Sequence, residues 1–406
     1  MLAALVGSSA ANGLLPVTES FAVLQVTGSA GKLGIVLAGQ GAVALLLSLA
    51  GGVAGDRFAR GRILIASTVV RMAAAATLAA TLLTHTASFG VLLGIALVYG
   101  CASGFFGPSS TAVLPDIVPA ARLAAANSLI GGISSSATIV APAIAGIVVA
   151  ALGPGAGFGC ESVLLAGTAG CLAAARLPAR VTVAPAADRN VLRQLRTGWR
   201  VFARLRWLWL LTLQWTLFSL LILAPVAVLG PTIAAQFLGG AAAWGLISSC
   251  FAVGAVGGQL AAGRIRPGRP ALLCACLCPA GIAEALALGL GAPVPVVGTA
   301  AAVTGLTLGI ISVNFQTTMQ ATVPAAVLAR VAAFDLLGSE LGQPVGYALA
   351  GPIGLAVGLH SFLIASAVVA FIAVAAFIPA PSLREHAGTL ARRAAQSVAP
   401  AGSAGR

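Results

Sequence analysis

What this sequence lacks most is charge. Asp, Glu, Lys and Arg make up 8% of its 406 residues. A water-soluble chain of this length needs about a quarter of its residues charged to cover its surface, so a soluble globular fold is excluded. A Gly-Lys phosphate loop is missing too, which removes ATP as a direct driver. The three histidines sit at or beyond the ends of the apolar runs, His85 and His360 on the side of the outer loops and His386 in the tail. They offer no convergent constellation for an intramembrane enzyme. The seven cysteines show neither metal-ligand nor disulfide spacing; Cys274, Cys276 and Cys278 alternate, so on a helix Cys276 points away from the other two, and all read as small apolar packing residues. No metal and no cofactor is expected. A formal net charge of +13 could suggest nucleic acid, but the arginines sit in short loops and no basic domain exists. The first residues, Met1-Leu2-Ala3-Ala4, lack a basic stretch, so the first apolar run reads as a true span and not as a cleaved signal.

What is present is apolar residue, at 59% with a mean hydropathy of +1.04. Apolar runs fall near 2–26, 32–54, 63–84, 88–112, 125–151 and 157–177, then near 207–230, 241–262, 271–290, 293–317, 331–355 and 359–380. That pattern predicts an all-α polytopic membrane protein with twelve transmembrane helices in two pseudo-symmetric six-helix bundles. The expected bundles are 1–177 and 207–380, joined by a linker at 178–206 and followed by a tail at 381–406. Arg57, Arg60, Arg62 and Arg122 lie in loops after even-numbered runs, as do Arg264, Arg266, Arg269 and Arg330; eight more arginines run from Arg176 to Arg206. The opposite loops hold one basic residue, Lys32. This asymmetry predicts both termini and the linker in the cytoplasm of a cell (inner) membrane. Within the linker, Leu192, Leu195, Trp199, Phe202 and Leu205 recur at helical spacing, with arginines on much of the remaining face. An amphipathic helix follows, lying either on the anionic inner leaflet or with its stripe packed on the bundle.

The halves echo each other at a spacing of about 207 residues: Val118-Pro119-Ala120-Ala121 returns as Val323-Pro324-Ala325-Ala326, and Arg122 with Asn127 returns as Arg330 with Asp335. Duplicated transporters of this build hold their substrate near the midplane between halves and expose it by rocking one half against the other.

Gly52-Val53-Ala54-Gly55-Asp56-Arg57-Phe58-Ala59-Arg60-Gly61-Arg62 resembles the signature loop of the major facilitator superfamily between its second and third spans. Gly52 permits close helix approach, and Asp56 can accept from helix N-terminal amides or pair with an arginine. The resemblance implies a cytoplasmic gate of Gly52, Asp56, Arg57, Arg60 and Arg62, with Asp335 at the corresponding level of the second half. There the motif is degenerate, with Gly263 in place of the acid. Ala141-Pro142-Ala143-Ile144-Ala145-Gly146 resembles the antiporter motif of the same superfamily. Pro142 bends the helix, and Gly146 with its small neighbours lets spans from opposite halves touch. Leu24 to Ser29, Leu114 to Pro119 with Asn127-Ser128, and Gly198-Trp199-Arg200 are similar to the macrolide-efflux and enterobactin-exporter branch. That branch carries an acid early in span one, where Asn12 falls here. The match implies a proton-driven exporter of a small amphipathic compound, a drug:proton antiporter whose partners are that substrate, protons and membrane lipids, working as a monomer.

Ionisable residues inside spans are costly and mark function by default. Counting 1.5 Å per residue, Arg71 lies about 13 Å beyond Arg62, Glu340 about 15 Å beyond Arg330, and Glu19 about 12 Å from the outer end of its span. By the resemblance, spans one, four, seven and ten line the cavity and two, five, eight and eleven flank it. Glu19 and Glu340 then face the pathway. A carboxylate removed from water is costly, so such a group can take up a proton and release it when a cation or the other aqueous side arrives. Arg71, in a peripheral span, reads first as a structural pair or a snorkelling side chain and second as a pathway residue; Glu161 and Glu284 carry less weight. Gln214 and Asn314, with Trp215 and Gln316, are candidates for substrate contact or for interhelical glue. Uptake or lipid movement on the same fold, and a sensor that no longer transports, are the competing readings.

Overall fold

In the computed structural model, residues 2–57, 60–117, 123–175, 191–265, 267–385 and 389 are described. Helices run Leu2–Thr27, Ala30–Arg57, Arg60–Leu83, Phe89–Ile117, Leu123–Leu152 and Pro154–Ala174, and these are spans one to six. A further helix, Val191–Arg204, precedes Arg206–Leu238, Ala241–Ala262, Pro270–Gly289 and Val294–Thr322, spans seven to ten. Span eleven is Ala325–Glu340 continued as Gly342–Val357 after Leu341, and span twelve is Leu359–Ala375. Nine of these helices are long and apolar enough, among the described residues, to cross a membrane. The other three are spans one, eleven and twelve. Span one is diluted by Ser8, Asn12, Thr18 and Glu19, span eleven is broken at Leu341, and span twelve is 17 residues long.

Span seven passes the Gly230-Pro231 pair, where the apolar pattern suggested an end, because π turns at Ser219–Leu223 and Ala234–Leu238 absorb its prolines. Span ten likewise continues to Thr322 through a polar stretch that the hydropathy reading excluded.

Spans one to six pack on each other, as do seven to twelve, with equivalent neighbours: two lies against four as eight lies against ten. Between the groups, span five packs on eight and span two on eleven. The turns joining one to two, three to four, five to six, seven to eight, nine to ten and eleven to twelve share one end of the molecule, hereafter the tight-turn end. Each contains a residue in the left-handed region: Gly28, His85, Gly153, Gly239 with Gly240, Gly291 and Gly358. A left-handed residue terminates a helix within one or two positions, and glycine adopts it without a Cβ clash.

The second group is stitched at its breaks. Pro279 has no N–H for the Ala275 carbonyl, so Gln214 Nε2 donates to it at 3.2 Å and also to Val374 O at 2.8 Å. Thr304 Oγ1 donates to Gly281 O and accepts from Glu284 N, both at 3.2 Å, across the 3₁₀ turn that follows Leu277. Ser366 Oγ donates to Leu221 O, the carbonyl freed by Pro225. Gln214→Leu would strand carbonyls in an apolar interior at about 1–3 kcal/mol each. We expect a clear fall in the thermal unfolding midpoint of purified protein, whereas an unchanged midpoint would show the amide to be dispensable.

The C-terminal part of the helix Val191–Arg204 packs on span eleven, while the side chains of Leu192 and Leu195 lie outside the described residues and Trp199 stays half exposed. Val201 and Phe202 are buried, Gly198 sits against Arg330 Cβ and Phe334, and Trp199 meets the Phe334 ring edge-on at 5.5 Å between centroids. At Val201 and Phe202 the helix packs on the bundle.

A cavity between the two halves and the polar chain behind it

Span one sets the site. Asn12 and Glu19 are seven residues apart, two helical turns, and so share a face with a rise of about 10 Å between them. Both line a cavity of about 460 Å³ between the groups, with Gln40, Tyr99 and Ser103 from spans two and four, Trp244 and Ser248 from eight, and Gln343 and Tyr347 from eleven. Glu19 is buried, at 6% exposure. With its amide turned to satisfy both groups, Gln40 Nε2 donates to the two Glu19 oxygens at 2.8 and 2.9 Å.

Behind this wall runs a chain of polar groups. Arg71, 1% exposed, donates from Nη2 to Asn12 Oδ1 and, at 2.9 Å, to the Tyr99 hydroxyl. Tyr99 in turn donates to Glu161 Oε1 at 2.7 Å. The guanidinium lies over the Tyr99 and Phe106 rings, 5.0 and 5.1 Å from their centroids, which fixes its plane. Charge-assisted bonds of this kind are about twice as strong as neutral ones.

The tight-turn end closes the cavity by backbone contact. A Cβ on Gly146 would lie 2.6 Å from Ala241 O and 3.0 Å from Gly245 Cα, and a Cβ on Gly351 2.5 Å from Ala30 O. Spans five and eight, and two and eleven, therefore meet through glycine at symmetric places. Further from that end, Gly131 and Gly132 of span five have nothing within 4 Å, and Leu341 and Val345 of span eleven are exposed. A second cavity of about 490 Å³ lies within the second group. Gln214 and Trp215, Ser312, Phe315 and Gln316, and Asp335 and Glu340 contribute to its wall.

Against this geometry stand the comparisons. A family model described as transmembrane secretion effector matches residues 3–397. The chain belongs to the transmembrane secretion effector family. It is thus a transporter of the major facilitator type, an integral membrane protein whose helices pass the bilayer many times. No curated protein matches it by sequence. Among solved structures it is similar to a bacterial homolog of the human lysosomal transporter Spinster, in an inward-facing, unoccupied conformation, at 14% identity and TM-score 0.64 over 98% of both chains. A nucleoside transporter aligns at 14% identity and TM-score 0.67, over 93% of this chain and 98% of its own. A POT family transporter in complex with a thioalcohol-conjugated peptide aligns at 12% identity and TM-score 0.71, over 95% and 96%. At such identities these likenesses speak for the fold alone.

Within this secretion-effector fold the sequence candidates separate. Glu19 lies on the central cavity, while Glu340 and Asp335 lie on the second one, where Thr212 Oγ1 donates to Asp335 Oδ1 at 2.6 Å. Gln214 borders that second cavity, but its amide nitrogen is engaged by two carbonyls, the glue alternative. Asn314 is off the wall: Ser312, Phe315, Gln316 and Met319 form the cavity face of span ten, and Asn314 Nδ2 turns back to Ile310 O at 2.9 Å. Pro142 and Gly146 sit at the contact of spans five and eight. Of the loop motif, Gly52, Asp56 and Arg57 end the helix of span two and Arg60 begins span three, but their side chains lie outside the described residues; Arg62 is exposed. Arg71 is no snorkelling side chain, since it points inward. Glu161, given little weight in the sequence, is its indirect partner. The rule that a charge inside a span marks function applied to it as well, but nothing local links residues 62 or 90 positions apart.

Proposed function

We propose that this chain exports a small amphipathic compound across the cell membrane in exchange for protons, by alternating access. The observation that carries this reading is a carboxylate, Glu19, in the wall of a cavity between two helix groups that are packed backbone to backbone at one end. A carboxylate there has two states of different charge. The glycine contacts at the tight-turn end form an interface that must separate if the cavity is to open there. The placement of the arginines supports a cytoplasmic position for the opposite end and for both termini, so the closed end is the outer one. The description of the family as a secretion effector supports the outward direction. Glu340 and Asp335, on the second cavity, supply a further charged surface along span eleven toward the cytoplasmic side. Coupling to protons then follows if Glu19 ionises when facing one aqueous side and is neutral when enclosed.

The test is a pair of transport measurements. Cells making the protein should lose a fluorescent dye such as ethidium faster than cells without it. Proteoliposomes with an imposed proton gradient should move the dye only with Glu19 intact, so that Glu19→Gln lowers gradient-driven flux to background. Net accumulation of dye in cells would support uptake instead. Equal flux with and without Glu19 would remove it from the coupling machinery.

A further inference from the structure

The buried interior of spans one to six contains, among the described residues, one cation and two acids: Arg71, Glu19 and Glu161. An uncompensated charge in such a medium is costly. We infer that Glu19 and Glu161 share one guanidinium and therefore hold a single proton between them, which makes Glu161 a second proton-carrying residue. This rests on the reading of Glu19 as the coupling group and adds a site that faces away from substrate.

The geometry supports a shared site more than a plain structural pair. Arg71 does not contact Glu161 directly; Tyr99 stands between, donating to Glu161 Oε1 at 2.7 Å while accepting from Arg71 at 2.9 Å. Structural Arg–carboxylate pairs are frequently bidentate, with two parallel N–H···O bonds to the two carboxylate oxygens. Here Glu161 Oε2 and Arg71 Nε have no hydrogen-bond partner among the described residues, although both residues are almost fully buried. Arg71 instead directs Nη2 to Asn12, on the face of span one that carries Glu19. Its charge thus faces Glu161 through Tyr99 on one side and the Glu19 face of span one through Asn12 on the other. The other titratable groups near the pair are Tyr99 and, across the cavity, Tyr347. Tyr99 lines the cavity and touches Glu161. A proton reaching the Tyr99 oxygen from the cavity therefore releases the hydroxyl proton to Glu161 Oε1, which leaves the tyrosine neutral.

The count can be read by infrared difference spectroscopy of the reconstituted protein, through the C=O stretch of protonated carboxyl groups and its shift in heavy water. Relative to the unaltered protein, E19Q should remove one protonated carboxyl, E161Q should also remove one, and the double variant should remove one and not two. R71Q leaves two acids without a counter-charge and should add one, so the count is also read without altering Glu161. If E161Q leaves the signal of the Glu19 proton intact, or if the double variant removes two, the sharing is wrong. The readout needs no transport, so dye export can fail while the shared proton stands, and the reverse.

Discussion

Gly245→Leu should lower transport by about ten- to a hundredfold while leaving the protein folded and in the membrane. A Cβ on Gly245 would overlap the Pro142 carbonyl and lie 2.9 Å from Gly146 Cα and 3.1 Å from Gly146 N. These are backbone atoms, which cannot turn aside as a flexible side chain would. Spans five and eight must then part at the tight-turn end, at a cost of about 1–3 kcal/mol for an overpacked contact. In the alternate state these helices are already apart and the leucine is tolerated. The substitution therefore shifts the population by roughly tenfold per 1.4 kcal/mol instead of unfolding the chain. Gly167→Leu is the control, because Gly167 in span six has nothing within 4 Å and is exposed. We expect wild-type dye export from Gly167→Leu, an intermediate rate from Gly245→Ala, and near-background export from Gly245→Leu at equal membrane abundance. Equal export from all three would show that the contact does not move during transport.

The second large effect is on stability. Arg71→Leu takes the donor from Asn12 Oδ1 and from the Tyr99 oxygen and removes the one buried cation, among the described residues of spans one to six, from beside Glu161. Removing one member of a buried charged network costs about 3–5 kcal/mol, here chiefly in the uptake of the extra proton that neutralises the acid left without its counter-charge. Membrane abundance and the thermal midpoint should fall sharply. Arg71→Lys should recover little, since an ammonium lacks the planar fork that spans Asn12 and Tyr99 and stacks between Tyr99 and Phe106. Adding Glu161→Gln to Arg71→Leu should restore part of the loss, because it removes the stranded acid. A variant as stable as the parent, or one that Glu161→Gln does not rescue, would contradict this account of the network.

The fold was legible where physics acts locally. Hydropathy marks spans such as Ala241–Ala262 to the residue, because a lipid-facing helix needs a continuous apolar stretch. It misjudged spans seven and ten for a definite reason. Pro231 and the polar run after Asn314 look like ends, yet π turns and neighbouring helices satisfy the backbone groups that lipid would leave unpaired. The contact of Gly146 was legible in kind, as a small residue beside Pro142. Its partner Gly245 was not, because an Ala-rich chain offers many equally small matches. The site was half legible. Glu19 stands out as an acid in a span, but Gln40, Tyr99 and Tyr347 acquire meaning only once spans two, four and eleven are brought to the same cavity. Glu161 and Arg71 each looked peripheral by span number, and Tyr99 joins them.

Proton-controlled alternating access is the core of this account, and it can be measured without knowing the substrate. Spin labels would be placed at Leu152, exposed at the end of span five, and at Ala242, exposed at the start of span eight, in a background free of native cysteines. Their separation would then be read by pulsed dipolar spectroscopy in lipid at acidic and alkaline pH. In the closed arrangement Glu19 is buried, so neutralising it favours closure. Two separations are expected, with the short one dominant in acid and the long one gaining in alkali, and Glu19→Gln held at the short separation throughout. A single separation at every pH, or the same pH response in Glu19→Gln, would contradict proton-controlled alternating access.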